Sequence, residues 1–559
     1  MNKIFFSADL FHSDGYIGGA ERCDDVLIEE LFNVKYNDYK TNMFVKLNSN
    51  NLTPELIEKN KDATFFISNF MLLSEDSKQC LIENNIDYII IEYDHKYVKS
   101  NDPSIYKNNL SNEEGLQNIN FYKKARVVLC QSTMHSEILY KNLLLNNIVN
   151  IAGNLWSEKD IDLLQQVLDS SKPTAGRPGD WAVLNTNNPN KGVPSAIEYC
   201  LRNDMKYHQV GSNSYQEFLR QISMFKGVVF FPKWIDTFNR FSVEARVLQC
   251  TLKTNQKVGA ASDGWLNIKG QPLLNKIKSE KTRIFDLYDN IINKKDVETF
   301  GVKLPRVSIM TTFVEAEKYI DGFLDHLVNQ TIFEDIDLII YDAGSIGKES
   351  EIIQNYQSKY PNINYIRSDD RIGSSEAFNI MMRESENEFM GMISIDDRPA
   401  PHYAEKLRKY LLFSNVDLVY GDCVQTYKEN DIVGKDFYDN NNLYEHSLND
   451  FSRENMIKSL PGPMPMFKKS MIERSGGFDT SFKHSNDWEL WLRCVRGGSE
   501  FMKVHDRVGL YYFNPDGVTT SAKTFKSKIK EEASLFMEYK DIIGKENFDR
   551  YKNYFSQGL

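Results

Sequence analysis

Short apolar runs alternate with longer amphipathic stretches along almost all of this chain. The runs are continuous rather than alternating, which is typical of buried parallel strands, and polar turns follow them. Strands that alternate with helices in this way predict α/β layers, in which helices cover the faces of a largely parallel sheet. The clearest predicted strands are KIFFSADL, ATFFISNF, DYIIIEYD, ARVVLCQS, WAVLNTN, MKYHQVG and GVVFFPK in the first half, and KLPRVSIMTTF, DLIIYDAG, INYIRSD, FMGMISID and VDLVYGD in the second.

The chain has 559 residues, which is too long for one hydrophobic core, because domains usually contain about 100 to 200 residues. The segment DSSKPTAGRPGD is rich in Ser, Pro and Gly, and it predicts a linker between two α/β halves. A charged stretch from about Ser279 to Thr299 predicts a helix, and Pro305 precedes a new strand. We therefore predict two halves over 1–170 and 175–300, a third domain over 305–525, and a C-terminal helical tail over 526–559.

Charge and cysteine content argue against several classes of protein. The formal net charge of −11 argues against a general phosphate-binding surface, because nucleic-acid binders usually carry a basic excess. The seven cysteines are scattered without close pairs, which favours reduced thiols in a cytoplasmic protein over a disulfide framework or a zinc site. No apolar run approaches the roughly 20 residues that cross a bilayer, and we expect a soluble chain without a transmembrane segment or secretory signal.

Four motifs follow one another in the predicted third domain. A strand, a loop and an amphipathic helix precede a strand that ends in Asp342 and a glycine-containing turn. Another strand leads to the adjacent acids Asp396 and Asp397, and a Gly-Gly turn then precedes a helix that begins near Asp487. Ligands of open α/β sheets bind beyond the carboxyl ends of the strands, so Asp342, Asp396 and Asp397 should face one crevice.

These motifs resemble those of the family-2 glycosyltransferases of GT-A fold over essentially the whole predicted domain. The family's helix end, its strand end DDGS and its segment GGFD…EDxxLxxR correspond here to VNQT, YDAGS, and GGFD followed by NDWELWLR. The resemblance implies a GT-A domain that transfers a sugar from a nucleotide-diphosphate donor, such as a UDP-sugar, to a hydroxyl acceptor.

The same resemblance implies roles for single residues. Asp396 and Asp397 would hold Mn²⁺ or Mg²⁺, because these ions prefer oxygen ligands and ease the departure of a diphosphate as Lewis acids. Asp342 and Glu315 would contact the nucleoside. Asp487 would be the general base that takes the proton of the acceptor hydroxyl, in a single displacement that inverts the anomeric centre.

One position departs from the family pattern. The family usually reads Asp-x-Asp-Asp at the metal motif, whereas this chain has Ser394, Ile395, Asp396 and Asp397. Loss of the first acid would weaken nucleotide or metal binding, although the hydroxyl of Ser394 can still hydrogen-bond a ribose.

The first 300 residues contain motifs that resemble those of family-4 glycosyltransferases of GT-B fold. That family's GG loop, KG loop and E-x7-E segment correspond here to Gly18-Gly19, Lys191-Gly192 and Asp236-x7-Glu244. The resemblance implies a nucleotide sugar bound between two Rossmann-like halves, usually without a metal and with retention of configuration. Glu244 would bind the ribose hydroxyls, Lys191 the pyrophosphate, and Asp236 would lie near the sugar. The N–H groups that follow Gly18 and Gly19 would receive a phosphate or another polar ligand.

This half also departs from its family. Asp236 replaces a Glu, and the usual Arg upstream of Lys191 is absent. Two interpretations stay open, an active second transferase or a unit that binds the acceptor or supports the other domain. His95 and His135 follow strands where acceptor contacts would fall, and His484 precedes the predicted base, but packed or loop positions explain these histidines more simply.

We therefore predict an α/β protein, a GT-B-like pair of Rossmann-like halves followed by a GT-A domain. The predicted function is a bifunctional glycosyltransferase with a metal-dependent, inverting C-terminal domain. Two alternatives stay open: a transferase that glycosylates hydroxymethylated bases of phage DNA, and a non-catalytic carbohydrate-binding scaffold built from decayed transferase domains. A surface polysaccharide or lipopolysaccharide glycan is the default acceptor, a protein acceptor is also open, and the sequence leaves the oligomeric state undetermined.

Overall fold

The computed structural model describes residues 3–12, 18–36, 44–171, 176–212, 214–301, 304–434, 437, 444–517 and 520–556. The chain divides into two compact units, residues 1–302 and 303–559. The two halves predicted for residues 1–170 and 175–300 thus share one unit, and the predicted C-terminal helices belong to the second unit. Residues 172–175 of the predicted linker and 13–17 of the predicted glycine loop lie outside the described residues.

The first sheet of the first unit is parallel and six-stranded, in the order β2-β1-β3-β4-β5-β6. The apolar runs at β1 and β3 are buried along their whole length, whereas the edge strand β2 is half-buried. Chain order reverses between β1 and β3, and the segment after β1 therefore starts at a position where open sheets bind ligands. The strands are β1 (Ile4–Ala8), β2 (Phe44–Asn48), β3 (Thr64–Ser68), β4 (Asp87–Ile91), β5 (Val127–Cys130) and β6 (Ile148–Asn150).

The second sheet of this unit is parallel and four-stranded, in the order β10-β9-β7-β8. Its chain order reverses between β7 and β9, and the loops after these two strands carry Lys191 and Asp236. The predicted pair of parallel α/β layers is thus confirmed. The strands are β7 (Trp181–Leu184), β8 (Tyr207–Val210), β9 (Gly227–Phe230) and β10 (Thr251–Thr254).

Helices cover both sheets of the first unit. They are α1 (Gly19–Val26), which continues through a π-helical segment (Leu27–Phe32) into α2 (Asn33–Lys35), then α3 (Pro54–Lys59), α4 (Glu75–Glu83), α5 (Ile119–Lys124), α6 (Thr133–Leu143), α7 (Glu158–Ser170), α8 (Val193–Arg202), α9 (Tyr215–Ser223), α10 (Arg240–Val247) and α11 (Gln271–Ile292).

The long helix α11 joins the two cores of the first unit. Its 22 residues span about 33 Å. Leu274 and Ile277 pack with the core of the second sheet, whereas Ile284 and Tyr288 pack with that of the first. A helix was predicted from about Ser279 to Thr299, but α11 begins earlier and ends earlier. Its start follows Gly270, which has a φ of 64°, and a proline occupies its first turn.

The second unit contains one mixed sheet in the order β13-β12-β11-β14-β18-β16-β19-β15, with β17 paired to β16. The four neighbouring strands β13, β12, β11 and β14 are parallel, so the carboxyl ends of β11, β12 and β14 lie at one edge of the sheet. The strands are β11 (Val307–Phe313), β12 (Ile336–Ala343), β13 (Ile363–Ser368), β14 (Phe389–Met392), β15 (Arg398–Pro399), β16 (Leu418–Thr426), β17 (Glu445–His446), β18 (Met466–Lys468) and β19 (Phe501–Tyr512).

The helices of the second unit include three that follow the last strand. They are α12 (Glu317–Val328), α13 (Glu349–Gln357), α14 (Ser374–Glu384), α15 (Tyr403–Phe413), α16 (Lys469–Arg474), α17 (Asn486–Arg496), α18 (Phe525–Glu538), α19 (Lys540–Ile543) and α20 (Lys545–Phe555). Trp488 and Trp491 of α17 are buried in one core with Phe536 of α18 and Phe555 of α20. The last three helices are therefore part of the sheet's own hydrophobic core.

Two further expectations concern solubility and thiols. Within the described ranges, no helix combines the length and apolar character that a membrane crossing requires. All seven cysteines are buried, and none forms a disulfide.

Candidate functional site

The turn from Ser394 to Asp397 carries the two acids predicted to hold a metal. The strand was expected to run up to these acids, but the pairing of β14 with β11 ends at Met392. The chain then turns, and the Asp397 N–H donates to the carbonyl of Ser394 at 3.1 Å. Ser394 itself is exposed on this turn. The metal motif thus lies in a turn beyond the strand, at the carboxyl edge of the parallel part of the sheet.

The two acids of this turn differ in burial. Asp397 is 1% exposed, and its Oδ1 accepts the backbone N–H of Tyr512 at 2.9 Å. Burial and the neighbouring charge of Asp396 raise the pKa of Asp397 well above its ordinary value. Asp396 is half-buried, and its Oδ2 accepts from Asn514 Nδ2 at 2.9 Å. Asp396 is therefore the acid that can meet a ligand from solvent, while Asp397 supports the turn from inside.

Arg398 holds the backbone of the same turn, a role that sequence reasoning missed. Its guanidinium is buried and donates to the carbonyls of Ile395 at 3.0 Å and Asp397 at 2.7 Å. A third donation, to the carbonyl of Tyr319 at 3.2 Å, ties the turn to α12. Gly322 makes room for this contact, because a Cβ there would lie 2.9 Å from the guanidinium. A cation directly after paired acids was the only signal available in the sequence.

Asp342 and Glu315 meet through the loop that follows β12. Asp342 is fully buried at the strand end, where it accepts from the backbone N–H of Ser345 at 2.8 Å and from the hydroxyl of Tyr365 at 2.7 Å. The hydroxyl of Ser345 in turn accepts the backbone N–H of Glu315 at 2.9 Å. The Glu315 side chain is exposed and paired with Arg371. Asp342 and Glu315, which were predicted to contact the nucleoside, therefore lie in or beside two loops, after β12 and after β11, that are hydrogen-bonded to each other.

Asp487 lies in the first turn of α17. It is half-buried, and its Oδ2 accepts from the hydroxyl of Ser459 at 2.7 Å. Burial raises the pKa of Asp487 above its ordinary value, and the Ser459 hydrogen bond and the charge of Lys528 oppose that rise. The preceding Asn486 donates to Ser375 at 2.9 Å and so joins the start of α17 to the start of α14. A partly accessible carboxylate with a raised pKa is suited to accept a proton.

The residues of this unit fit a metal that is shared with a substrate. Among the residues that the structure describes, no group of three His, Cys, Asp or Glu side chains could hold an ion alone. Mg²⁺ commonly binds through one or two carboxylates plus substrate phosphates and water. Burial and the adjacent charge of Asp396 raise the pKa of Asp397. A bound cation would stabilise the ionised form of both carboxylates.

The first unit contains a cleft of about 660 Å³ between its two sheets. Gly19, Lys191, Asp236 and Glu244 all line it, so the structure brings four of the five predicted residues together. The fifth, Gly18, precedes the first residue of α1.

The cleft's lysine is already paired. Lys191 Nζ lies 2.9 Å from Asp236 Oδ2, and this carboxylate raises the pKa of the lysine. Gly192, which follows, has a φ of 64°, and a Cβ there would overlap the carbonyl oxygen of Phe231 at 1.7 Å. Glycine is therefore required at this turn, which holds Lys191 at the cleft.

Glu244 lines the cleft, but its carboxylate is already hydrogen-bonded within the protein. It is 3% exposed, and its Oε1 accepts from Trp156 Nε1 at 3.0 Å, Tyr215 Oη at 2.8 Å and Arg240 Nε at 3.4 Å. Arg240 also donates to Asp160 at 3.0 Å. The three donors to Glu244 all bind the same carboxylate oxygen, which the spacing of the two acids alone could not show.

The three histidines are explained by packing. His95 and His135 are fully buried, with ring centroids 4.7 Å apart. Burial lowers the pKa of His95 to about 4 and that of His135 well below its ordinary value. His484 is half-buried, with its Nε2 2.9 Å from the hydroxyl of Ser527. Acceptor contacts for His95 and His135 are therefore not supported by their positions.

Comparisons with known proteins find a glycosyltransferase family and several relatives. Residues 308–476 match the model of Glycosyl transferase family 2. An uncharacterized glycosyltransferase of Methanocaldococcus jannaschii is 25% identical over 239 residues, which cover 42% of this chain and 80% of that protein. The hyaluronan synthase of Pasteurella multocida is 26% identical over 260 residues, 40% of this chain and 26% of the synthase. The crystal structure of residues 1–349 of TarS from S. aureus covers 44% of this chain and 72% of that chain, with 14% identity and a TM-score of 0.35.

The second unit therefore carries a family 2 glycosyltransferase domain, and the chain is a nucleotide-sugar glycosyltransferase. The matched segment includes Glu315, Asp342 and the turn from Ser394 to Asp397, but it ends before Asp487. The first unit lies outside the match.

Proposed function

We propose that the second unit transfers a sugar from a nucleotide diphosphate, with UDP as the favoured carrier, to a hydroxyl group with inversion at the anomeric carbon. The observation that carries this proposal is the match of residues 308–476 to Glycosyl transferase family 2. It is supported by Asp342 at the end of β12 and by the turn after β14 that carries Asp396, which follow strands of the same parallel sheet. In this scheme Asp342, Glu315 and Ser394 hold the nucleoside, because their loops meet at the carboxyl ends of neighbouring strands.

Asp396 would hold a Mn²⁺ or Mg²⁺ ion together with oxygens of the donor. Asp397 would support the turn that carries Asp396 from inside the domain. When bound, this ion supplies charge neutralisation to the departing diphosphate. Arg398 keeps the acids in place, since two of its donations close the backbone of this turn.

Asp487 would act as the general base. The acceptor oxygen forms its bond to the anomeric carbon while its proton passes to the carboxylate of Asp487. The bond from that carbon to the diphosphate oxygen breaks on the opposite face, and the nucleotide leaves with the electron pair. Ser459 orients the carboxylate through the hydrogen bond to Oδ2, so the other oxygen can face the acceptor.

A donor panel on the full chain tests this function. UDP-glucose, UDP-galactose, UDP-N-acetylglucosamine and GDP-mannose are each titrated by calorimetry with Mn²⁺, and release of free nucleotide is measured. We expect one donor to bind and to be hydrolysed slowly. EDTA should abolish the Mn²⁺-dependent binding and the release of nucleotide that we assign to the second unit. Asp396→Asn should weaken metal-dependent binding at least about tenfold, since a charge-assisted contact is lost.

The matched control is Asp549→Asn, which neutralises an exposed acid on α20. It should bind the donor like the wild type. Failure of the wild-type chain to turn over any donor would support the carbohydrate-binding scaffold instead.

A second nucleotide-sugar site in the first unit is our second candidate function, and it would make the enzyme bifunctional. The cleft between its two parallel sheets supports it, because Lys191 and the start of α1 line one space. The hydrogen bonds that already engage Glu244 instead favour a cleft that binds an acceptor.

The seven unpaired thiols favour a reducing compartment such as the cytoplasm.

Stoichiometry distinguishes these versions of the first unit. If its cleft binds a donor, the full chain takes up two nucleotide sugars, and one of them persists in EDTA. Lys191→Met should then remove the metal-independent site, because the point charge for the diphosphate is lost. Lys206→Met is the control, since this exposed lysine pairs with Asp180 on the same half. A single metal-dependent site in the wild type would contradict bifunctionality.

The acceptor we propose is a glycan hydroxyl. A modified DNA base is the weaker alternative, because a net charge of −11 disfavours binding along the phosphate backbone of DNA.

A further inference from the structure

Glu531 of α18 holds the loop that leads into the predicted base. Its carboxylate accepts three backbone N–H groups from consecutive residues of that loop. Oε1 accepts from Lys483 at 3.0 Å, and Oε2 accepts from His484 at 2.9 Å and from Ser485 at 3.0 Å. Helix α17 begins at the next residue, and Asp487 follows immediately. One side chain from a distant helix thus binds the whole backbone segment before the base.

At the start of α17, Asn486 Oδ1 accepts the backbone N–H of Asp487 at 3.0 Å. Ser485 occupies the capping position without a capping hydrogen bond, and its φ of −122° and ψ of 27° are not those of a regular cap. The negative charge of Glu531 lies where the N–H groups of a helix start concentrate positive potential. Glu531, from elsewhere in the fold, therefore holds the backbone of Ser485 at the capping position and of the two residues before it.

Neighbouring contacts make this arrangement rigid. Ser527, one helical turn before Glu531, lies 2.9 Å from Nε2 of His484. On the face of α18 that is turned away from Glu531, Ala533 and Phe536 are fully buried in the core that also contains Trp488. The helix is thus fixed on one side by the core, and its other side can define the position of the loop.

We propose that Glu531 is the positioning residue of the catalytic base, setting the place and orientation of Asp487. This inference rests on the proposed role of Asp487. It extends the catalytic domain beyond the matched residues 308–476 to the C-terminal helices.

Glu531→Gln on the full chain tests the inference. The amide has one oxygen, and its NH₂ group would face at least one of the three N–H donors, so the loop loses contacts at constant side-chain size. We expect hydrolysis of the best donor in the panel to fall by about 10- to 100-fold, as displacement of a reacting group by about 1 Å can cost. Binding of UDP with Mn²⁺ should stay unchanged.

Hydrogen exchange gives a readout that does not depend on activity. The amides of residues 483–485 should exchange faster in Glu531→Gln than in the wild type, while peptides of β12 and β14 keep their protection. Glu546→Gln is the matched control, because it makes the same change on α20 at a side chain that is 88% exposed. It should leave hydrolysis and exchange unaltered.

Glu531→Asp serves if the glutamine variant unfolds. It keeps the charge but shortens the side chain, and we expect it to fold with a smaller loss of hydrolysis and the same faster exchange at 483–485.

The outcomes separate this inference from the proposed function. If Asp487→Asn and Glu531→Gln both lose hydrolysis and the loop amides exchange faster, the positioning role is supported. If only Asp487→Asn loses hydrolysis, Glu531 is merely structural and the inference is wrong. If Asp487→Asn keeps hydrolysis, the base itself has been assigned incorrectly and the inference falls with it.

Discussion

We expect Asp487→Asn to lower transfer by about two to four orders of magnitude, the usual contribution of a general base. The amide keeps the size of the side chain and can still accept the hydrogen bond from Ser459. It cannot take a proton, so the loss should appear in kcat while binding of UDP with Mn²⁺ stays as in the wild type. Donor turnover and calorimetry on the same preparation measure the two quantities.

The pH dependence gives an independent check on the same residue. Burial raises the pKa of Asp487, so its carboxylate takes up a proton at a higher pH than an ordinary aspartate does. Only the deprotonated form can act as a base, and kcat/KM should therefore fall as pH decreases through this raised pKa. The acidic limb should lie above pH of about 4, the ordinary value for Asp. Unaltered transfer in Asp487→Asn, or an acidic limb that the substitution leaves in place, would remove Asp487 from the base role.

The second large effect concerns stability. Phe536→Ala should destabilise the second unit by about 3 to 5 kcal/mol, the range observed when a buried aromatic ring is replaced by alanine. Phe536 is fully buried and stacks on Phe548 and Phe555, with ring centroids 5.0 and 4.2 Å apart. Removal of the ring leaves a cavity between α18 and α20. The free energy of unfolding is measured by urea titration, with hydrogen exchange assigning the transition to the second unit.

Phe525→Ala is the control for this substitution. Phe525 is the first residue of the same helix and is 58% exposed, so its replacement should change stability by less than about 0.5 kcal/mol. Equal effects of the two substitutions would show that α18 does not belong to the core of the unit.

The parts of the fold that could be predicted from the sequence are the buried ones. A strand that is covered on both faces must be apolar throughout, and β1, β3, β4 and β12 therefore stand out as continuous runs. Two strands with mixed exposure, β2 and β19, were missed, although the partly exposed β8 and β13 were predicted. The residues of β2 are all half-buried, and the 12-residue β19 mixes buried and exposed positions along MKVHDRV, so neither has an uninterrupted apolar run.

The candidate site divides in the same way. Asp342, Asp396 and Asp487 could be located because each belongs to a short motif beside a strand or helix end. Arg398 and Glu531 could not, because their roles depend on backbone groups that the fold brings together. Glu531 lies 46 to 48 residues beyond the amides it holds, and no local pattern connects them.

The sequence by itself determined the α/β class, the order of the motifs and the identity of the acids, because these follow from local periodicity and from chemistry within a few residues. Only the tertiary structure decided what each acid can do. It left Asp396 half-buried and buried Asp397 completely one residue later. It also engaged Glu244 in a network inside the first unit and placed Asp487 next to Ser459. Burial and hydrogen bonding to distant groups set these differences, and both exist only once the chain has folded.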